Sequence, residues 1–438
     1  MKDLSSRQKR NDFVVAYIQS GEKERTDFKV GIEFEHFVID EKTKVRRSYY
    51  EDGGVRDILE RIAQLDGMTG IYEGDNILGI SAQGFDISIE PGAQFEISVE
   101  RQNTVNQLQE EYREALAIIS PVFHELGAGL LTLGLDPVTT IDNIPLIPKK
   151  RYEVMDSYLS QQGIHARTMM RQSCALQIAI DYSNPDDFKR KFRVASALSP
   201  ILYTLFDNTA YYEGEKVVHF NMRQKVWRNM DNDRSGLIPH VFDADFSYDT
   251  YADWLLDVPI LFIPAADGSI EETGRMTLNE ALANAKTQDE ADRIMEHGLS
   301  IVFPDVRAKR YIELRQMDEV PSRFAYGAAA MLKGIFYNAE SLEKLDKYFA
   351  EISEDLVERG KNSGSDNGIQ GYYFSKYFAQ WGLELLDLAE KGIEEEEKRY
   401  LEDLRKFWDN LDTPRLLFER VEEEEGFNAA ITAFQVIF

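Results

Sequence analysis

The sequence predicts an α+β fold: an antiparallel sheet with one apolar and one acidic face, helices against the apolar face, and a helical C-terminal region. Three observations predict it. Several short segments alternate apolar and polar residues with the period of a strand. Their polar positions are dominated by Glu, with Gln and one Arg, where a solvated sheet face would mix Lys, Thr, Ser and Glu. From Ser322 onwards the periodicity is helical, with almost no strand signal.

The strand that raises the functional question is "VGIEFEHFVID", residues 30–40. Alternation puts Glu33 and Glu35 on one face and Ile32 and Phe34 on the other. Two carboxylates side by side repel unless solvent or a cation separates them. "DGGVRDILERIAQLDG" reads as a short amphipathic helix, and "GFDISIEPGAQFEISVE" as two strands broken at Pro91-Gly92. In the latter, Asp86, Ser88 and Glu90 share a parity, as do Gln94, Glu96 and Ser98 after the break. Residues 101–126 form a long helix with Pro121 as a point for a kink. "GLLTLGLDP" is a strand. "SCALQIAIDY" is another, with Gln177 and Asp181 opposite Leu176, Ile178 and Ile180. Residues 186–206 and 278–300 read as helices. "AKRYIELRQMD" is the last strand, with Glu313 and Arg315 opposite Ile312 and Leu314. Beyond Ser322, "GKNSGSDNGIQG" reads as a loop between two helical stretches, and the acidic runs at 394–397 and 422–425 as solvated helix faces. The organisation is a catalytic region, 1–340, with a helical region, 341–438, packed on it, as two units or one.

Composition narrows the function. With 43% hydrophobic and 11% aromatic residues the chain can bury a sizeable core. Against 50 Lys plus Arg stand 77 Asp plus Glu, a net charge of −27, which repels phosphate backbones and argues against a nucleic-acid partner. A small anionic substrate remains open, because local arginines or bound cations reverse the field inside a cleft. One cysteine, Cys174, excludes an intramolecular disulfide and reads as a buried core thiol. No signal-peptide core and no membrane-length apolar run is present, so the expected location is cytoplasmic, with no membrane partner.

Carboxylates converging on one sheet face call for cations. Hard oxygens, without clustered Cys or His, favour Mg²⁺, with Mn²⁺ as a substitute. Mg²⁺ commonly arrives with nucleotide phosphates, which Arg315 could reach. Neither G-x-x-x-x-G-K-[ST] nor G-x-G-x-x-G occurs, which disfavours a P-loop ATPase, a protein kinase and a Rossmann enzyme.

At these residues the chain resembles the plant-type glutamate–cysteine ligase family, of the glutamine synthetase-like carboxylate-amine ligases. The resemblance spans roughly residues 25–340 and rests on "GIEFEHF" for G-x-E-x-E-x-F, "IEPGAQFEIS" for E-P-G-x-Q-x-E-x-S, "PKKRYEVM", "SCALQIAIDYSNPDDF", "VWRNMDNDRSGLIPHVF" and "FPDVRAKRYIELRQMD", in order and spacing. It implies ATP-dependent coupling of the glutamate γ-carboxylate to the cysteine amine through a γ-glutamyl phosphate. It further implies that Glu33, Glu35, Glu90, Glu96, Gln177 and Glu313 are metal ligands or their neighbours, with Glu33, Glu35 and Arg315 at the chemistry. Arg315 and Lys309 would meet the ATP phosphates. Trp227 and Arg234 would grip the glutamate backbone, with Arg151 as a third substrate contact. Gln172 stands where plant members carry Arg, and the plant regulatory cysteine pairs are excluded by the single cysteine. The alternatives are a glutamate ligase with another acceptor amine, or a non-catalytic cation- or nucleotide-binding protein.

Overall fold

The computed structural model describes residues 2–438. A nine-stranded antiparallel sheet is built from β1 (Val30–Asp40), β2 (Thr69–Glu73), β3 (Asn76–Ser81), β4 (Phe85–Ile89), β5 (Phe95–Val99), β6 (Ala128–Leu131), β7 (Ala175–Ile180), β8 (Val306–Ala308) and β9 (Ile312–Asp318). Its order is β8-β9-β7-β1-β5-β4-β3-β2, and β6 also pairs with β1. At eleven residues, β1 is long enough to serve two neighbours along one edge. Val30–Phe34 pair with β7 and Phe37–Asp40 with β6, while Glu33–His36 pair with β5 on the other edge.

Register decides which side chains meet. Glu33 lies opposite both Ser98 and Gln177, Glu35 opposite Glu96, and Glu96 opposite Ser88. Directly paired residues point to the same face, so these form adjacent rows. Glu313 pairs with Ala179 on β7 and Arg307 on β8, which puts it on that face too.

The opposite face carries the core. Ile32, Phe34, Ile87, Phe95, Ile97, Ile178, Ile180 and Leu314 are all buried there. Helix α1 (Val105–Leu126) covers it, opened by a Thr104–Gln107 capping box and ended by Gly127 at φ 59°. Its Tyr112 ring stacks on Phe34 at 4.0 Å and its hydroxyl meets His36 Nε2 at 2.7 Å, while His36 Nδ1 lies 4.0 Å from the buried Glu319 carboxylate. Four further helices frame the site: α2 (Lys150–Leu159), α3 (Ser199–Leu205), α4 (Met222–Arg228) and α5 (Ser322–Tyr337). Every residue of α5 from Phe324 to Phe336 is buried, so it packs on the sheet side and against the C-terminal helices at once.

Several expected elements differ. The glycine-rich stretch 360–367 is not a loop but the second half of α6 (Glu354–Asn367). A Cβ at Gly360 would run into the Tyr373 ring and one at Gly364 into Thr204, so these glycines permit close packing rather than break the helix. The helix expected at 186–206 divides into Pro185–Ala197 and Ser199–Leu205, and that at 278–300 into Leu278–Asn284 and Gln288–Ser300. Pro121 lies inside α1 without ending it. Of the acidic run 394–397, three residues are solvated, but Glu397 is fully buried. It accepts Lys333 Nζ from α5 at 2.6 Å and the Val105 N–H of α1 at 2.6 Å. The run is therefore also a tie between the C-terminal region and the sheet-covering helices.

Lys333→Met should leave Glu397 charged and uncompensated in the interior. A loss of about 3–5 kcal/mol in unfolding free energy by urea titration is the expected outcome.

Candidate active site

The polar face of the sheet holds a hydrogen-bonded chain that crosses three strands. Glu35 accepts the Ala175 N–H at 2.7 Å and the Gln177 amide at 2.8 Å. The Gln177 oxygen accepts from Arg315, and the same Arg315 nitrogen donates to Glu313 at 2.8 Å. Glu313 also takes Arg307 Nε at 2.6 Å and lies 3.5 Å from Lys309 Nζ. Two cavities adjoin this chain. An outer cleft of about 320 Å³ is lined by Gly31, Glu33, Arg101, Gln177, Tyr311 and Glu313. An inner pocket of about 70 Å³ is lined by Glu35, Glu90, Arg223, Trp227, Phe303 and Arg315.

The electrostatics follow from who is paired. Burial raises the Glu33 carboxyl, and the Glu313 charge adds to it. Burial and then Glu90 push Glu35 up to about 7. Glu96 is raised well above the carboxylate range by burial, then by Glu33, Glu90 and Glu35, despite hydrogen bonds from Ser88 at 2.9 Å and Ser98 at 3.2 Å. Glu313 goes the other way. Burial alone would raise it, but Arg307, Lys309 and Arg315 together hold it well below its ordinary value. Lys309 is lowered by burial and by Arg307. Among the described residues no three acidic or histidine groups converge closely enough to hold a metal ion. The expected metal-binding face is thus a face of crowded acids rather than a preformed metal cage.

The inner pocket owes its charge to α4. Arg223 and Trp227 stand four residues apart, hence on one face of that helix, with the guanidinium 3.8 Å from the indole ring centroid. Arg223 donates twice to the Arg315 carbonyl, at 3.1 and 2.9 Å, while its third nitrogen, NH1, is buried without a partner. Arg315 Nε is likewise buried and unpartnered. Two arginines that line this small cavity thus each keep one buried nitrogen without a hydrogen-bond partner.

Comparison with known proteins identifies the architecture. The chain matches glutamate-cysteine ligase family 2 (GCS2) over residues 29–430. It belongs to that family. The activity of this ligase is γ-glutamylcysteine synthesis, in glutathione biosynthesis. It is 32% identical over 385 residues to the chloroplastic glutamate–cysteine ligase B of Oryza sativa subsp. japonica, an alignment that covers 87% of this chain and 77% of that protein. It is 33% identical over 385 residues to the Medicago truncatula enzyme, covering 87% and 75%. The fold is shared with the crystal structure of the Francisella tularensis glutamate–cysteine ligase in complex with AMP, at a TM-score of 0.57 and 13% identity, covering 93% of this chain and 87% of that one.

The family match reaches residue 430, so the C-terminal helices belong to the ligase and do not fall outside the resemblance. The expected cytoplasmic location is corrected by the plant relatives, whose names place them in the chloroplast. Among the described residues, no helix is long and apolar enough to cross a membrane.

The structure distributes the sequence-predicted residues unevenly. Glu33, Gln177 and Glu313 line the outer cleft, and Glu35, Glu90, Trp227 and Arg315 the inner pocket. Glu96 lies on the same face between them by register, and Lys309 is beside Glu313. Glu313, expected as a metal ligand or the neighbour of one, has three cations around it. Arg234 corrects another. It is fully buried and lines neither cavity, and its Nε pairs with Asp231 at 2.7 Å while NH1 donates to the Pro259 and Ile301 carbonyls, each at 3.1 Å. Asp231 supplies the anion that its charge was expected to need from outside. Arg151 lines a separate cavity of about 360 Å³ with Lys150, Arg293 and His297. Gln172 is also internal, its amide donating to the Thr139 carbonyl and to Glu213, each at 3.0 Å. Sequence reasoning missed Arg223 and Arg307. The signal for Arg223 was present in its four-residue spacing from Trp227. Arg307 had none, because its pairing with Glu313 depends on the β8–β9 register.

Glu35 carries the pH prediction. Its folded-state value of about 7 exceeds the ordinary 4.5, so the folded chain keeps a proton that the unfolded chain has released. The penalty is absent below the unfolded value and complete above the folded one. Stability of the cation-free protein should therefore fall as pH rises from about 4.5 to about 7. Glu35→Gln should flatten that part of the profile in urea midpoints measured across the window.

Proposed function

We propose that the polar sheet face is a Mg²⁺·ATP site and the inner pocket the site of the glutamate side chain being activated. The observation that carries this reading is the pair of buried, unpartnered guanidinium donors, Arg223 NH1 and Arg315 Nε, at the end of a row of crowded carboxylates. The AMP bound to the Francisella enzyme supports a nucleotide on this fold. The donor set suits Mg²⁺, since Glu33, Glu35, Glu90 and Glu96 offer hard oxygens whose mutual repulsion a dication relieves. When bound, Mg²⁺ neutralises charge on the transferring phosphoryl oxygens.

The glutamate γ-carboxylate attacks the γ-phosphorus of ATP, ADP leaves, and a γ-glutamyl phosphate results. The cysteine amine then attacks the acyl carbon, phosphate departs with the bond electrons, and the proton shed by the nitrogen passes to the departing phosphate. The chain contributes position and charge. Gln177 and Glu313 orient Arg315, whose free Nε faces the developing oxyanion. Arg223, braced by Trp227, pairs with a substrate carboxylate through NH1. Lys309 and Arg307 hold Glu313 ionised, so that it fixes Arg315 in place.

ADP release screened over amino acids, with glutamate and Mg²⁺ fixed, tests the reaction. Cysteine should give the highest rate, and ADP release that persists without glutamate would remove the acyl-phosphate reading. Glu35→Gln should keep the fold but cut turnover and raise the Mg²⁺ concentration for half-maximal rate. Wild-type Mg²⁺ dependence would count against the metal assignment.

Arg223→Lys should raise the glutamate KM by roughly ten- to hundred-fold, the value of a lost charge-assisted contact of about 1.5–3 kcal/mol. Arg234→Lys should instead lower the thermal midpoint, because its partners are internal. Steady-state kinetics and melting of the two variants side by side separate these roles.

A further inference from the structure

We propose that Lys361, on the C-terminal helix α6, is a positioning residue for Arg315, acting through Asp305; this rests on the reading that Arg315 stabilises the phosphoryl-transfer step. Asp305 sits just before β8 and its side chain is enclosed. Its Oδ2 lies 2.7 Å from Lys361 Nζ, with both side chains 2% exposed, and its Oδ1 accepts the Tyr203 hydroxyl of α3 at 2.9 Å. Among the described residues, no other cation lies within ion-pair reach of Asp305.

The Asp305 backbone joins the strand that carries Arg315 to the loop that follows Arg234. Its carbonyl accepts the Arg315 N–H at 3.1 Å, and its N–H donates to the carbonyl of Gly236, in the loop that follows Arg234. That loop is also tied through the Phe303 N–H to the Arg234 carbonyl at 2.7 Å. Both backbone polar groups of Arg315 are therefore clamped, its N–H by Asp305 and its C=O by Arg223. Lys361 neutralises the carboxylate that anchors one of these clamps.

A buried ion pair is a poor way to gain stability, since an apolar pair of similar volume often does as well or better. It does fix position, because Asp305 is held between the tyrosine hydroxyl that donates to Oδ1 and an ammonium 2.7 Å from Oδ2, itself anchored by a hydrogen bond to Glu358 at 3.0 Å. The C-terminal region thereby reaches the polar sheet face without lining either cavity. A shift of Arg315 by a fraction of a bond length would misplace the free Nε at the reacting phosphoryl group, and the loss should appear in turnover rather than in substrate binding.

The experiment is a double-mutant cycle on the full chain, with Lys361→Met, Arg315→Lys and their combination, read as kcat and KM for each substrate beside thermal midpoints. The expected result is a fall in kcat of about ten- to hundred-fold for Lys361→Met, little change in KM, and little further loss when Arg315 is already replaced. Lys361→Arg should recover most of the turnover. A lowered midpoint with kcat intact, or losses that simply multiply in the double variant, would overturn the proposal. If Arg315→Lys alone keeps wild-type turnover, the assignment of Arg315 fails independently of Lys361, and the proposal falls with it. Should Lys361→Met not fold, Tyr203→Phe removes the other anchor of Asp305 with little change of shape. It should lower kcat in the same direction, and unchanged kcat there would overturn the proposal equally.

Discussion

Carboxylates enclosed on one face of a sheet must be paired, protonated or balanced by a bound cation, and neighbouring strands of this ligase face that constraint differently. Glu313 is paired, with Arg307, Arg315 and Lys309 around it, and stays ionised. Among the described residues, Glu33 and Glu96 form no ion pair and are pushed towards the protonated form, Glu33 by burial and then by Glu313, Glu96 by burial and then by Glu33, Glu90 and Glu35. Glu35 lies between these extremes, near neutrality, with its two oxygens held by Ala175 and Gln177. The single Arg315 nitrogen that touches both Gln177 and Glu313 connects the ionised end of the row to the proton-binding end.

A face so crowded contributes little to folding, so the rest of the molecule compensates. The sheet's apolar side is enclosed by α1 and α5, and α5 is itself enclosed by the C-terminal helices. Burying a helix on all sides requires small residues where backbones approach. Gly334 packs against the Ala389 backbone and Gly327 against Leu404. The C-terminal region supplies buried charges to this arrangement, among them Glu397 towards Lys333 and Lys361 towards Asp305. It is part of the support of the site, which accords with a family match that runs through it.

Much of the candidate site was legible in the sequence because strand alternation is strict. Once 30–40, 85–99, 173–182 and 308–318 are taken as strands with their apolar sides on one core, parity puts Glu33, Glu35, Glu96, Gln177, Glu313 and Arg315 on the other side. The same alternation predicted the apolar face and the antiparallel sheet. The unread features are of another kind. Gly360 and Gly364 look like loop residues in a linear reading, since nothing local distinguishes a glycine that breaks a helix from one that lets Tyr373 or Thr204 approach. Glu397 looks like its three solvated neighbours.

Periodicity and residue type, properties of neighbours along the chain, thus established the fold class, the two-faced strands and the acids that share a side. Pairing is a property of neighbours in space. Register joined Arg307 to Glu313, the turn of a helix placed Arg223 over Trp227, and packing across more than fifty residues brought Lys361 to Asp305. Arg234 shows the difference most plainly. Its charge was visible in the sequence, but whether that charge faced a ligand or a carboxylate of its own loop depended on burial, and burial is decided only when distant segments close over the loop.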